Sequence, residues 1–310
     1  MANAYTDTVV NYTGELLKVG NNETPLLNAV GGLTDIRAVQ ANIFATSQTW
    51  TPGDGEQTAR TEADSMTAPE TIVTRAQETN VLQIMQYGWN VSYSKEGNTS
   101  QVSALPNVDG VQPVTDERAF QESAKLAKMQ KDLNYTLING LYVGDTNSST
   151  ARKSRGLLTA ITTNAVDGST NALDKAMVDS LLLACASGGV MFGSPTITLV
   201  ASALNMQKLN GWYVVQERSN EIGGSFLKVI ATPFGYVNVL YDPMIPDTSI
   251  LVADIGKIGF AGKNIAGKGV VFSEPLAQVG AGFRGQLYGE LGIDYDSEKL
   301  HGKLYNFTSV

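Results

Sequence analysis

The chain has 310 residues, 43% hydrophobic and 17% charged, enough for one large or two modest domains with real cores and too apolar for a disordered chain. Its formal charge of −8, with no block of Lys or Arg, argues against tight electrostatic binding to nucleic acid or an anionic membrane. The single cysteine, Cys185, excludes an internal disulfide and fits a reducing compartment, and neither an export signal nor a stretch approaching the roughly 18 apolar residues of a membrane span is present.

The first part reads as an extended N-terminal arm. Within it, Thr24-Pro25-Leu26-Leu27 places an N-cap and an N1 proline before a short apolar turn stopped by Gly31-Gly32. Ile43 to Trp50 has strand composition. Thr51 to Asn80 then holds only Met66, Ile72 and Val73 as large apolar side chains, so it cannot build a core of its own. Beyond it Val81, Met85, Tyr87, Trp89 and Val91 alternate on one face of a second strand, so the polar stretch reads as a long hairpin, with a disordered surface loop as the alternative. Fully extended, half of those positions reach roughly 45–50 Å at about 3.3 Å per residue, far enough to cross a neighbouring subunit.

A helix follows from about Asp116 to Asn139, with Thr115 placed to cap it, Asp116 and Glu117 in its first turn, and Gly140 at its C-terminal end. Leu126, Met129, Leu133 and Leu137 form one apolar stripe, and Phe120, Ala124, Ala127 and Ile138 an adjoining one. At about 1.5 Å per residue the helix is roughly 36 Å long. After the polar loop 144–154 a second helix spans about Ala172 to Ser187, with Asn171 and Asp174 spaced as a capping box and Gly188-Gly189 ending it. Thr196 to Ala201 is a buried strand, and Ser202 caps a short helix reaching Asn210. The remainder alternates as sheet, at Phe226–Thr232, Tyr236–Tyr241, Ile250–Asp254, Val270–Ser273, Gln286–Ile293 and Lys303–Phe307. Helices interspersed with antiparallel hairpins give an α+β class.

No group of residues assembles a catalytic, cofactor or metal site. Gly262 to Lys268 has the spacing of a phosphate-binding loop, but Gly269 stands where a Ser or Thr must hold magnesium, and a strand pattern rather than a helix follows. Gly280-Ala-Gly282-Phe-Arg-Gly285 has the dinucleotide spacing, yet the residues after it alternate as strand, so these glycines serve a turn or bulge. His301, the only histidine, excludes multi-histidine metal sites, and near the end of a sheet it reads as structural. Cys185 lies on a helical apolar stripe with Met177, Leu181 and Ala184, the setting of an inert core thiol. Asp294, Asp296 and Glu298 lack the twelve-residue loop of a calcium site and read as a solvated strand end. Arg60, Glu62, Asp64, Glu70, Arg75 and Glu78 spread both charge signs along the polar hairpin, which suits contacts between subunits.

Short runs in a fixed order carry a family likeness: Arg75, Asn80-Val81-Leu82-Gln83-Ile84 and Val91-Ser92-Tyr93-Ser94 around the returning strand, then Lys131-Asp132-Leu133 before Asn139-Gly140. Phe234-Gly235-Tyr236-Val237, Leu251-Val252-Ala253-Asp254, Gly289-Glu290-Leu291-Gly292-Ile293 and His301-Gly302 complete the series. Over nearly its whole length the chain resembles the major capsid proteins of tailed bacteriophages, whose fold is named after phage Hong Kong 97. The resemblance implies an N-terminal arm (1–46), an extended hairpin loop (47–94), a spine helix with the first part of a peripheral domain (95–165), a mainly axial domain (166–268) and returning peripheral strands (269–310). It implies a shell subunit that self-associates in pentamers and hexamers into an icosahedral head, containing double-stranded DNA without reading its sequence and without membrane contact. Assembly is expected in the host bacterial cytoplasm and residence in the virion, with a portal and, optionally, a decoration protein as further partners. The type member cross-links subunits through a loop lysine, whereas Thr51 to Ser94 contains none, so noncovalent contacts or another protein are expected to hold this shell. Because the arm begins almost at Met1, a separate scaffolding protein is expected as well. The alternatives are a bacterial compartment shell of the same fold enclosing protein cargo, a nucleotide-hydrolysing enzyme using the Gly262–Gly269 loop, and a secreted binding module, which the missing export signal disfavours.

Overall fold

The computed structural model describes residues 23–50, 57, 59–67, 72–96, 116–213 and 228–308. Proline at the first helical position starts α1 (Pro25–Val30), and Gly31, at φ 108°, ends it in the left-handed region that favours glycine. Thr24 occupies the N-cap, but its side chain makes no capping bond. The exposed helix donors are met instead from far along the chain: Asp242 accepts from Leu26 N at 3.1 Å and Asn134 accepts from Leu27 N at 3.0 Å. The Asn134 amide donates to both Asp242 oxygens at 3.2 and 3.0 Å, and Met244 N donates to Asp242 at 2.8 Å. Both polar side chains are fully buried, so this clasp joins the arm to the long helix and to the second sheet.

A one-turn helix α2 (Glu62–Ser65) interrupts the polar stretch. The long helix α3 (Glu117–Asn139) is capped by Asp116, which accepts from Arg118 N and Ala119 N. The expected cap, Thr115, lies outside the described residues. Full burial of apolar side chains is confined to the C-terminal half of α3, where Met129, Leu133, Leu137 and Ile138 pack inward; Ala124 and Leu126, expected on the buried face, are exposed. Gly140 does end the helix, but at φ −54°, so handedness is not the reason for glycine there. A Cβ at Gly140 would lie 2.5 Å from the Ser154 carbonyl oxygen and 2.6 Å from that of Thr136, and close approach of the returning chain is what requires it. That chain enters α4 (Leu157–Ala160).

Helix α5 (Lys175–Gly188) starts later than expected because Asp174 is the N-cap itself, accepting from Met177 N at 2.8 Å, while Asn171 sits in the preceding turn. Gly189, φ 107°, closes it. Helix α6 (Ala203–Tyr213) extends three residues beyond the expected end.

Eleven of the thirteen described strands lie in two sheets whose registers fix the body. In the first sheet β1 (Ile36–Val39) runs parallel to β10 (Gly259–Lys263), which pairs with the long strand β12 (Gly282–Asp294). Strand β4 (Gln83–Ser92) covers one side of β12 from Gly282↔Ser92 to Leu291↔Gln83, while β10 and then β11 (Val271–Leu276) take the other. The second sheet has the order β5 (Ala165–Asp167), β13 (Gly302–Tyr305), β9 (Ile250–Asp254), β6 (Ile197–Ala201), β8 (Gly235–Tyr241), β7 (Val229–Thr232). A separate pair joins β2 (Ile43–Thr49) to β3 (Ala76–Val81). The class is α+β, as expected. Among the described residues no helix is long and apolar enough to cross a membrane.

Strands β6 and β9 are buried at every position because both faces of the second sheet are covered. Val200, Leu251 and Ala253 enter the core shared with α1, α3 and the first sheet, whereas Ile197, Leu199, Ile250 and Val252 enter the core beneath α5. The second sheet thus connects the two cores, and the Asn134–Asp242 clasp sits in the first. Substituting Asp242→Asn keeps the volume but turns an amide donor toward Leu26 N, Met244 N or the Asn134 amide. We expect this change to lower the unfolding free energy of the unassembled subunit by about 2 kcal/mol or more, read by chemical denaturation.

Candidate functional site

With both cores accounted for, what leaves the body is the polar hairpin. Its two strands pair from Ile43↔Val81 to Thr49↔Ala76, with an irregularity between Ala45 and Ser47. Below that level the hairpin is held tightly. Phe44 packs with Leu82 and Ala261, and a Cβ on Gly292 would collide with the Phe44 ring. The fully buried Asn80 uses its whole amide: Oδ1 accepts from Val81 N and Arg155 N, both at 2.9 Å, and Nδ2 donates to the carbonyls of Ile293 at 2.8 Å and Arg155 at 3.1 Å. Glu78 is the last anchor, accepting from Ser297 Oγ and Glu298 N, each at 3.3 Å. Above it residues 72–77 are exposed, as are Gln48 and Trp50 on the outgoing strand.

The six charged residues expected to form contacts therefore divide. Arg60 is exposed, donating to the Thr67 carbonyl at 3.3 Å. Glu62 and Asp64 lie on exposed α2, where Thr61 caps the helix by accepting from Asp64 N and donates to the Asp64 carboxylate at 2.7 Å. Arg75 is exposed, and Glu70 lies outside the described residues. Among the described residues none of Arg60, Glu62, Asp64 and Arg75 meets an opposite charge. Glu78 alone is turned into its own subunit. Burial pushes its carboxyl above the ordinary range, and neighbouring Glu298 adds to that, against its hydrogen bonds.

At the foot of the hairpin lies a charge network that sequence reading did not find. Asn42, next to β2, donates to Asp145 at 2.8 Å and accepts from Lys263 at 2.9 Å. Arg152 lies between Asp145 at 3.7 Å and Glu290 at 3.3 Å, Lys263 also approaches Glu290 at 3.7 Å, and the Tyr288 hydroxyl donates to Glu290 at 3.0 Å. Two cations face two carboxylates, so the network is locally neutral, with Arg152 and Glu290 its most buried members. Asn42 stands over a hundred residues from Asp145, as does Arg152 from Glu290, and no local spacing announces the network.

The remaining candidates have structural duties. His301 is fully buried; its Nδ1 accepts from Asp254 N at 3.2 Å and its Nε2–H donates to the Tyr295 carbonyl at 2.8 Å, and burial lowers its pKa. Burial likewise pushes the Cys185 thiol up to about 12. Residues 264–270 link β10 to β11, with Gly267 and Gly269 at φ 79° and 90°, and Gly262 sits in β10 where Val270 and Ile36 leave no room for a Cβ. Gly282 and Gly285 lie in β12. Asp294, Asp296 and Glu298 are not the solvated strand end that was expected. Asp294 pairs with Arg37 at 3.0 Å, and Glu298 accepts from Thr162 N and Thr163 N at 2.8 and 2.9 Å. No grouping of His, Cys, Asp and Glu among the described residues could hold a metal ion.

A two-core body with a long helix, two sheets and a polar hairpin held only at its foot is the architecture of a shell-forming subunit of the Hong Kong 97 type. The solved structures agree in fold. The capsid of cyanophage A-1(L) matches with a TM-score of 0.67 at 13% identity, covering 99% of this chain and 100% of that one. An encapsulin complex from Synechococcus elongatus PCC 7942 matches at 0.61 and 13%, covering 100% and 97%. Mycobacterium phage Che8 matches at 0.57 and 10%, covering 97% and 98%. No curated protein sequence matches. The profile of the SU10 major capsid protein family matches residues 1–308, and the chain belongs to that family.

Glu78 offers a handle on the hairpin foot. A carboxyl whose folded pKa lies above its unfolded one favours the fold while protonated and loses that contribution as pH rises through the folded value. Glu78→Gln should match the wild-type melting temperature well below the ordinary carboxyl value of 4.5 and exceed it at neutral pH, as followed by thermal unfolding of the unassembled subunit across that range.

Proposed function

We propose that this major capsid protein builds the icosahedral head of a tailed phage or prophage in the host cytoplasm. Pentamers and hexamers of the chain enclose double-stranded DNA, with a portal at one vertex and a separate scaffolding protein guiding assembly; a decoration protein is an optional further partner. The family match over residues 1–308, joined to a hairpin that leaves the body at Glu78, carries this reading. We assign the hairpin of the 47–94 region to contacts with neighbouring copies, using Arg60, Glu62, Asp64, Glu70 and Arg75 for charge matching, while Glu78 holds the foot. The arm (1–46), the spine and peripheral parts (95–165 and 269–310) and the mainly axial part (166–268) take the roles their places in such a subunit imply.

The role is one of assembly rather than catalysis. Heterologous contacts that close give rings, and many moderate interfaces per subunit make the shell cooperative without any one being strong. With a net charge of −8 the wall leaves packaged DNA to be neutralised chiefly by counterions. The second reading, a compartment shell around protein cargo, draws on the fold likeness to the Synechococcus encapsulin. Portal and terminase genes beside this one would decide against it. Removing residues Gly53–Val73 spares the paired foot and should leave a subunit that melts cooperatively but forms no closed particles by electron microscopy. Particles of normal size from that deletion would overturn the role given to the hairpin.

A further inference from the structure

Two openings of about 660 and 450 Å³ share Ile84, Ala151 and Arg152 and form one continuous groove at the hairpin foot, between the end of α3, the start of β4 and the 145–153 loop. Its walls carry large apolar side chains that nothing in the subunit covers: Ile84 is 50% exposed, Tyr135 55% and Leu141 67%. The groove also has a rim cation, Lys153, without an ion pair among the described residues. At the other end of the same hairpin, Met66 is 87% exposed, Ile72 92% and Val73 55%, beside the unpaired carboxylates of Glu62 and Asp64. A soluble subunit that leaves apolar side chains out at both ends of one element is offering two surfaces to be covered.

We propose that the groove at the foot of the hairpin receives the apolar outer part of the hairpin from a second copy of this chain, with Ile72, Val73 and Met66 against Ile84, Tyr135 and Leu141, and Glu62 or Asp64 toward Lys153. This rests on the shell-subunit reading and names the surface that the hairpin grips. The copy must be a different one. The seven residues of β2 lead away from Asn42, which lines the groove, so the paired hairpin separates the two surfaces by roughly 20 Å at about 3.3 Å per residue. Outer hairpin and foot are unlike surfaces, so their contact is heterologous and runs head to tail, the arrangement that closes into rings. The neutral Asp145–Arg152–Glu290–Lys263 network beneath the groove fixes its floor before the neighbour arrives, which limits the ordering cost of docking.

The test uses full-length protein with p-benzoylphenylalanine at position 72, assembled from a mixture of isotopically light and heavy copies, irradiated, digested and mapped by mass spectrometry. Light–heavy adducts joining position 72 to residues 83–84 or 135–153 are the expected result. Adducts elsewhere on a neighbour, adducts within one copy, or none in assembled particles would overturn the proposal and leave the shell-subunit reading standing; failure of the wild-type chain to form particles under any condition would remove that reading instead. Should the substituted chain not assemble, hydrogen exchange on wild-type particles against free subunits decides. Slowed exchange at 83–85 and 135–142 is expected, and unchanged exchange there would overturn it. Leu141→Asp and Tyr135→Asp alter exposed side chains, so each should reduce particle yield at least about tenfold, as loss of one apolar anchor predicts, with the subunit melting temperature unchanged.

Discussion

The level at which the hairpin passes from buried to exposed, between Ser47 on one strand and Glu78 on the other, is the constraint on which the working of this protein depends. On the body side Asn80 satisfies both faces of its amide, and Phe44 fills the space that Gly292 leaves open. On the far side the chain has three large apolar residues and no core, so intrachain hydrophobic burial cannot fix its position. In the assembly proposed above a neighbouring copy holds the outer hairpin, and the bonds of Asn80 and Glu78 keep its foot from moving while that happens. The 3.3 Å bonds from Ser297 and Glu298 to Glu78, and the four bonds of Asn80, resist rotation of the hairpin about its base. They give a load applied at the tip a route into β12.

The route continues inward through parts that serve more than one duty. Strand β12 is paired along both sides, by β4 over its length and by β10 and β11 in succession, so it cannot slip without breaking two ladders. Helix α3 lays the apolar face of its C-terminal half on that sheet, and there Asn134 clasps Asp242 while Asn139 donates to the Met244 carbonyl at 2.8 Å. The second sheet is thereby tied to the first by polar bonds within an apolar core. Such a network fixes geometry more than it adds stability, because buried polar groups tolerate little misplacement. A shell subunit benefits from that bias, since small errors in the angle between its parts would accumulate around a closed surface.

Much of this was legible in the sequence where the signal is local. Pro25 and Gly31 bracket α1, Gly189 closes α5, a short apolar run places β9 at Ile250–Asp254, and the poverty of apolar residues after Thr51 marks the hairpin. Local spacing misled where a tertiary partner supplied what the sequence position lacked. Thr24 has the chemistry of an N-cap, but Asp242 and Asn134 deliver the bonds. Gly262 has the spacing of a phosphate loop, but the crowding of Val270 and Ile36 makes it a strand glycine. Strands β1, β5 and β10 are only three to five residues long and take their identity from the strand beside them, leaving no periodic pattern to read. The charge network at the hairpin foot is in the same position: Asn42, Asp145, Arg152, Lys263 and Glu290 become neighbours only after the fold has formed.

The absence of lysine from Thr51–Ser94 bears on how such a shell coheres. A hairpin without lysine cannot supply the amine of the type member's cross-link, so in the proposed assembly noncovalent contacts or another protein hold it. Exposed ion pairs contribute little singly, about 0–1 kcal/mol, and are weakened by salt, so the mixed charges of the hairpin serve orientation better than strength. Apolar anchors must then supply most of the holding energy, and the hairpin carries three of them, all exposed. One such contact would be weak alone. In the proposed assembly, repeated around a ring and again across rings, each contact would act at the high effective concentration set by those already made, and the shell would be stable through number rather than through any bond within a single pair.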